Sequence, residues 1–176
     1  MIRMLKEEDI FAVWWWLNWY ITHTRSFRRQ EPLDNREFSE GVRRAKADMP
    51  WLVLLEDDVP CALACIYERT CTEGSGWGGS VLVCTAPDRR RQGYGRRILK
   101  ALMELAEKDG YAYLQAGIIP ANEAGHALMN SCGFPAADSG GEEDVRRYEF
   151  AANTGHMDMP ENTDPYGSVR PNRVPV

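Results

Sequence analysis

The stretch from Val81 to Lys108 leaves this chain few architectures. Val81, Leu82 and Val83 form an apolar, largely β-branched run that suits a strand. Pro87 interrupts it, Arg89, Arg90 and Arg91 follow, and then come Gly93 and Gly95. Beyond them Ile98, Leu99, Leu102, Met103, Leu105 and Ala106 recur at three- and four-residue spacing, which predicts an amphipathic helix ending at Gly110. A strand therefore enters a Gly-rich turn that opens a helix. The first turn of a helix carries backbone N–H groups without intrahelical acceptors, and the helix dipole adds positive potential there. Residues without a Cβ let a ligand approach the backbone, and the arginines add charge, so the turn is suited to a phosphate or pyrophosphate.

Two common phosphate loops do not fit. No Lys-Ser or Lys-Thr pair follows the glycines, as a P-loop needs, and the third position of a dinucleotide fingerprint is Ile98 rather than Gly. What stands here is R-x-x-G-x-G: Arg90, Gly93, Gly95. A basic surface turn that merely caps a helix is the alternative reading.

At 176 residues the chain is long enough for one domain with a sizeable core. The net charge of −5 argues against general nucleic-acid binding and is compatible with a cationic partner such as an amine. No apolar run is longer than Phe11 to Leu17, far short of the ~20 residues that span a bilayer, so no membrane partner is expected. Cys61, Cys65, Cys71, Cys84 and Cys132 are odd in number and contain no C-x-x-C pair; with no leader pattern, free thiols in a reducing cytoplasm are expected. His23, His126 and His156 are scattered, so no metal site is expected.

In chain order, the pattern predicts a strand over Ile2–Leu5 and a turn at Lys6–Asp9, with Asp9 able to cap a helix over Ile10–Ile21. That helix is apolar nearly all round. Ile10, Trp14, Leu17 and Ile21 form one stripe, and Phe11, Trp15 and Trp19 a second that must meet more core, a partner chain or a ligand. A second helix is expected over about Asn35–Lys46 with Phe38 and Val42 inward. Strands follow at Trp51–Leu55 and Val59–Tyr67, a loop over Glu68–Gly79 because of its glycines, then the strand Val81–Thr85. After the long helix come a strand (Tyr111–Ile118), a short helix (Glu123–Ser131) and a last strand (Val145–Phe150). The order β, α, α, β, β, β, α, β, α, β implies a mixed sheet with helices on its faces, an α/β or α+β domain over residues 1–150. From Ala151 onward, Pro160, Pro165, Pro171 and Pro175 with few large apolar residues suggest a loosely packed tail over residues 151–176.

R-R-Q-G-Y-G, followed downstream by N-E-A (Asn122 to Ala124) and G-F (Gly133, Phe134), resembles the GNAT N-acetyltransferases, whose acetyl-CoA signature is Q/R-x-x-G-x-G/A. The opening I-R-M-L-K-E-E-D-I, with N-W-Y-I-T-H-T, E-P-L-D, P-W-L-V and A-G-I-I-P-A-N-E-A, is most similar to the phosphinothricin and methionine sulfoximine acetyltransferase group. The resemblance implies a mixed sheet of about six or seven strands flanked by about four helices, splayed open where acetyl-CoA binds. It implies transfer of an acetyl group from acetyl-CoA to a primary amine of a small molecule, by direct attack in a ternary complex. In that scheme Val83, Cys84 and Thr85 pair with the cofactor arm, and Arg90, Arg91, Gln92, Gly93, Tyr94, Gly95 and Arg96 surround the pyrophosphate. Asn122 bonds the arm's amides, and the Val83 N–H faces the oxyanion.

Departures from the family sharpen the question of the proton. Relatives carry Glu where this chain has Ser80 (or Gly79), and Tyr or His where it has Met129. Three explanations stand: a carboxylate such as Glu31, Glu68 or Glu73 acts through water; proximity alone suffices, since a thioester is already activated; or acetyl-CoA is bound without turnover. Trp19, Tyr20, Phe27, Arg69 and Trp77 are candidates for the acceptor site. The aromatic helix reads equally as core plus a homodimer contact, Arg69 as a solvated loop residue, and Trp77 as a loop anchor. Cys84 and Cys132 read as inert packing, and His126 as a helix-surface histidine.

Overall fold

The structure, a computed structural model, describes residues 1–72, 76–137 and 145–152. Its elements are β1 (Ile2–Met4), α1 (Ile10–His23), α2 (Asn35–Asp48), β2 (Trp51–Glu56), β3 (Val59–Thr72), β4 (Gly76–Thr85), α3 (Tyr94–Lys108), β5 (Tyr113–Ile118), α4 (Glu123–Ser131), β6 (Ala136–Ala137) and β7 (Arg146–Ala151). One seven-stranded sheet runs β1-β2-β3-β4-β5-β7-β6. Every pair is antiparallel except β4–β5, which is parallel and is bridged by α3. This is the mixed α/β architecture expected from the element order. The tail over residues 153–176 lies outside the described residues.

Local chemistry accounts for most boundaries. Asp34 caps α2 by accepting from Glu37 N at 2.8 Å, and Phe38, Val42 and Ala45 are buried beneath it. The β2–β3 turn places Asp57 and Asp58 at φ 49° and 61°, the left-handed pair that a tight two-residue hairpin requires. Gly110, at φ 79°, ends α3. Leu99, Leu102 and Ala106 of α3 and Leu54, Leu63 and Ile66 of the sheet are fully buried and join in one core.

Three expectations are corrected. The loop expected over Glu68–Gly79 is largely strand: β3 continues to Thr72, and β4 begins at Gly76. Gly78 and Gly79 are there because neighbours cross them. A Cβ on Gly78 would lie 2.1 Å from the Tyr113 ring, and one on Gly79 would lie 2.9 Å from Ile66 Cγ2. Secondly, α1 buries Ile10, Val13, Trp16, Leu17 and Ile21, while Trp14 is half-buried and donates from Nε1 to Leu33 O at 2.8 Å. Phe11 (61% exposed) and Trp15 (48%) of the second stripe face outward. Thirdly, Asp9 does not cap α1: it is buried, accepting from Arg3 at 2.6 Å and from Lys6 N at 2.8 Å. Burial raises its pKa, but those bonds outweigh it and hold the carboxyl below its usual range.

Candidate functional site

The site grows from the way β4 leaves β5. The parallel pairing is confined to Gly78↔Tyr113, Gly79↔Leu114 and Ser80↔Gln115, yet β4 runs on to Thr85 and β5 to Ile118. Past Ser80 the strands diverge. On its other side β4 stays paired with β3 throughout, to Ala62↔Thr85. Ala86 N donates to Cys61 O at 2.8 Å, and Ile66, the partner of Val81, donates its N–H to Pro50 O, away from β4. Antiparallel pairs alternate between hydrogen-bonded and non-bonded residues. Leu82 and Cys84 therefore bond β3, and Val81, Val83 and Thr85 direct their N–H and C=O groups into the gap. A stretch of strand edge is thus open inside the sheet, where an extended arm can add as another strand.

That edge leads directly to the Gly turn. Gly93 is the residue before α3, at φ 83°, with nothing within 4 Å of the position of an added Cβ. No side chain among the described residues caps α3, so its first-turn N–H groups face outward with the positive end of the helix dipole. Arg91, at φ 60°, curls the same turn. Gly95 behaves differently. Its Cβ would point inward to Thr85 Cγ2 at 3.6 Å and Leu128 at 3.7 Å, an ordinary contact, so alanine fits there. Arg91, Gln92, Gly93 and Arg96 are exposed and Tyr94 is buried. Arg90 is held back: its guanidinium lies 4.9 Å from the Trp19 ring centre and its Nε donates to Pro87 O at 2.9 Å.

Trp19 and Tyr20 close the C-terminal end of the gap. The Tyr20 hydroxyl is 3.3 Å from Thr85 Oγ1, and burial raises its pKa. Asn122 accepts from Gly125 N at 2.9 Å, capping α4, and its Nδ2 reaches Ser26 O at 3.4 Å. The α1–α2 connection therefore meets the far lip of the gap, where Arg28, Ile119, Pro120 and Ala121 line an open depression of about 450 Å³. Arg28 is a residue that sequence reasoning missed, because only the path of this connection brings it there. Phe27 is half-buried against the core.

At the vertex of the divergence, Ser80 is buried and its Oγ accepts from Gln115 Nε2 at 3.0 Å. Glu68 stands directly opposite Ser80 on β3, after an irregularity in register at Ile66/Glu68, and Glu149 stands opposite Gln115 on β7. Glu68, Ser80, Gln115 and Glu149 thus form one row across four strands, on one face of the sheet. The neighbouring residues Leu114, Ala116 and Tyr148 are buried on the other face.

Arg69, Trp77 and Glu31 do not converge on the gap. Arg69 and Trp77 lie at the other end of the β3–β4 hairpin, on strands rather than a loop. Arg69 donates to Tyr111 Oη at 3.0 Å and to Asp48 O, so it is not a solvated loop residue. Trp77, 37% exposed, precedes Val83 by six strand residues, or about 20 Å. Glu31 is exposed on the α1–α2 connection, and Glu73 lies outside the described residues. Cys84 is buried, which pushes its thiol far above its usual range, and Met129 and Cys132 are also buried. His126 is no surface residue: it is half-buried, with Nδ1 3.0 Å from Tyr148 Oη and Nε2 3.1 Å from Ile119 O. Among the described residues, no group of three or more His, Cys, Asp or Glu could hold a metal ion.

The model of the acetyltransferase (GNAT) family matches residues 10–134. The chain belongs to the GNAT family. Solved structures with the same fold include a phosphinothricin acetyltransferase from Sinorhizobium meliloti in complex with acetyl-CoA, at TM-score 0.78 and 15% identity, covering 94% of this chain and 95% of that one. A ribosomal-protein-alanine N-acetyltransferase from Brucella melitensis aligns at TM-score 0.75 and 23% identity, over 86% of this GNAT chain and 99% of its own. An N-acetyltransferase from Staphylococcus aureus Mu50 aligns at TM-score 0.73 and 23% identity, over 86% and 98%. The resemblance read from R-R-Q-G-Y-G and N-E-A is therefore that of a true member, with a phosphinothricin acetyltransferase among its structural neighbours.

Proposed function

We propose that this GNAT protein transfers an acetyl group from acetyl-CoA to a primary amine of a small molecule, such as an amino-acid analogue or an amine antibiotic. The observation that carries the reading is the open edge at Val81, Val83 and Thr85 running into the uncapped first turn of α3. In this reading the cofactor arm pairs with that edge, and its pyrophosphate sits on the first-turn N–H groups beside Arg91 and Arg96, where fixed dipoles and charge replace its water. In the same reading Asn122, at the start of α4, bonds the arm's amides. The Val83 N–H donates to the carbonyl oxygen on which charge builds as the amine attacks directly. Trp19 and Tyr20 stand beside the arm at Arg90 and Thr85, and Arg28 stands on the far lip of the gap. We place the protein in the cytoplasm, where Cys61, Cys65, Cys84 and Cys132 stay reduced, and assign the exposed Phe11 and Trp15 to a homodimer contact.

Calorimetric titration with acetyl-CoA, followed by mass spectrometry of an amine panel (phosphinothricin, methionine sulfoximine, polyamines, aminoglycosides), tests the reading. Binding, with one amine gaining the mass of an acetyl group, supports it. Absence of binding contradicts it. A second reading, an acyl-CoA-binding module without turnover, is favoured by one observation: Met129 is buried at 3% exposure and carries no proton to donate. Binding without product from any amine would select that reading.

A further inference from the structure

Resting on the transferase reading, we propose that Glu68 takes the proton from the acceptor ammonium, through the hydroxyl of Ser80. An ammonium has no lone pair, so the acceptor must be deprotonated before it attacks. The strand register assembles a route for that proton at the vertex of the gap. Gln115 Nε2 donates to Ser80 Oγ at 3.0 Å, which fixes the hydroxyl and leaves its hydrogen to point elsewhere. Glu68 is the residue directly opposite Ser80, and side chains so paired have Cβ atoms about 5 Å apart. In the adjacent row on the same face, Tyr113 crosses Gly78 and brings its hydroxyl 3.0 Å from Thr70 Oγ1, across the same three strands.

The other titratable groups around the gap are less suited. Tyr20 is raised by burial, as is Cys84, and His126 is bonded at both ring nitrogens on the opposite face of the sheet. Among the described residues of the sheet, the titratable or charged groups on the face of Glu68 are Cys61 and Cys65 on β3, Cys84 on β4, Tyr113 on β5, Arg147 and Glu149 on β7 and Arg3 on β1, with Tyr67 at the register irregularity. Glu149 is two strands beyond Ser80, on the far side of Gln115.

The step balances. The ammonium N–H passes its proton to Ser80 Oγ while the Ser80 hydrogen passes to a Glu68 carboxylate oxygen, leaving a neutral amine and a protonated Glu68. The amine lone pair then forms the C–N bond. The C–S bond breaks with its electron pair on sulfur, the second amine proton goes to that thiolate, and Glu68 returns its proton to water.

The test is the pH profile of acetyl transfer for the full chain, with acetyl-CoA binding measured alongside. E68Q should lower kcat by about 100-fold or more, leave the Kd for acetyl-CoA within about threefold, and replace the wild-type acid limb and plateau by a rate that climbs steadily with pH. E68D should retain part of the rate, S80A should fall between, and E149Q should stay within about threefold of wild type. Installing S80E in E68Q moves the carboxylate one strand nearer and should restore turnover. Should E68Q keep wild-type kcat and its acid limb, the role of Glu68 is overturned while the transferase reading stands. Wild-type protein that acetylates no amine overturns both.

Discussion

Two glycine sites, one near the start of β4 and one just past its end, look alike in sequence and differ in three dimensions. At Gly93 an added Cβ would meet nothing within 4 Å, and the residue is glycine because its φ is 83° and the space before α3 is open. At Gly78 the Cβ would lie 2.1 Å from the Tyr113 ring, and the residue is glycine because the space is already filled. The first is a vacancy at the positive end of a helix, suited to an incoming anion. The second is a crossing point that lets Tyr113 reach Thr70 across β4 and holds β4 and β5 in register just before those two strands part. A glycine therefore marks a demand on space, and only the surrounding strands tell whether the demand comes from a ligand or from the protein.

Substitutions can separate the two kinds. The largest effect is expected from Gly93→Glu, which puts a side chain and a negative charge where the pyrophosphate is proposed to sit. Affinity for acetyl-CoA should fall by about 100-fold or more, equivalent to about 2.7 kcal/mol, while the far-ultraviolet circular dichroism stays that of a folded domain. Undiminished affinity in calorimetry would remove the turn from the site. Gly78→Ala should act on stability instead. The methyl group overlaps the Tyr113 ring, and denaturant midpoints should report a loss of about 1–3 kcal/mol, with weaker turnover because the Ser80–Gln115 vertex shifts. A wild-type midpoint would mean that the ring moves aside without consequence. The smallest effect belongs to Gly95→Ala. Its Cβ fits against Thr85 and Leu128, so stability should change by less than about 0.5 kcal/mol and cofactor affinity should hold.

The same contrast explains what could be read in advance. The α3 turn was legible because everything it needs is local: an uncapped first turn, a left-handed Gly93 and flanking arginines follow one another along the chain. The bounds of α4 and the buried face of α3 followed from apolar spacing. The far part of the β3–β4 hairpin was not legible. Its glycines argue for loop in isolation, and only the crossing of Tyr113 and Ile66 makes Gly78 and Gly79 strand residues. The three consecutive tryptophans of α1 leave its helical phase undetermined, so Val13 and Trp16 took the inward places while Phe11 and Trp15 turned out. At the site, Glu68 stood among several carboxylates with nothing to single it out. Its place opposite Ser80 depends on an irregularity of register between Ile66 and Glu68, which has no local sequence mark.

Residue-resolved amide exchange with and without acetyl-CoA addresses the central claim, that the divergence of β4 from β5 is the seat of the cofactor arm. Val81, Val83 and Thr85, whose N–H groups face the gap, should exchange readily in the free protein and become protected on adding acetyl-CoA, together with the first turn of α3. Leu82 and Cys84, already bonded to β3, should be protected in both states and change little. Protection that rises elsewhere on the chain while Val81, Val83 and Thr85 stay unchanged would contradict the account.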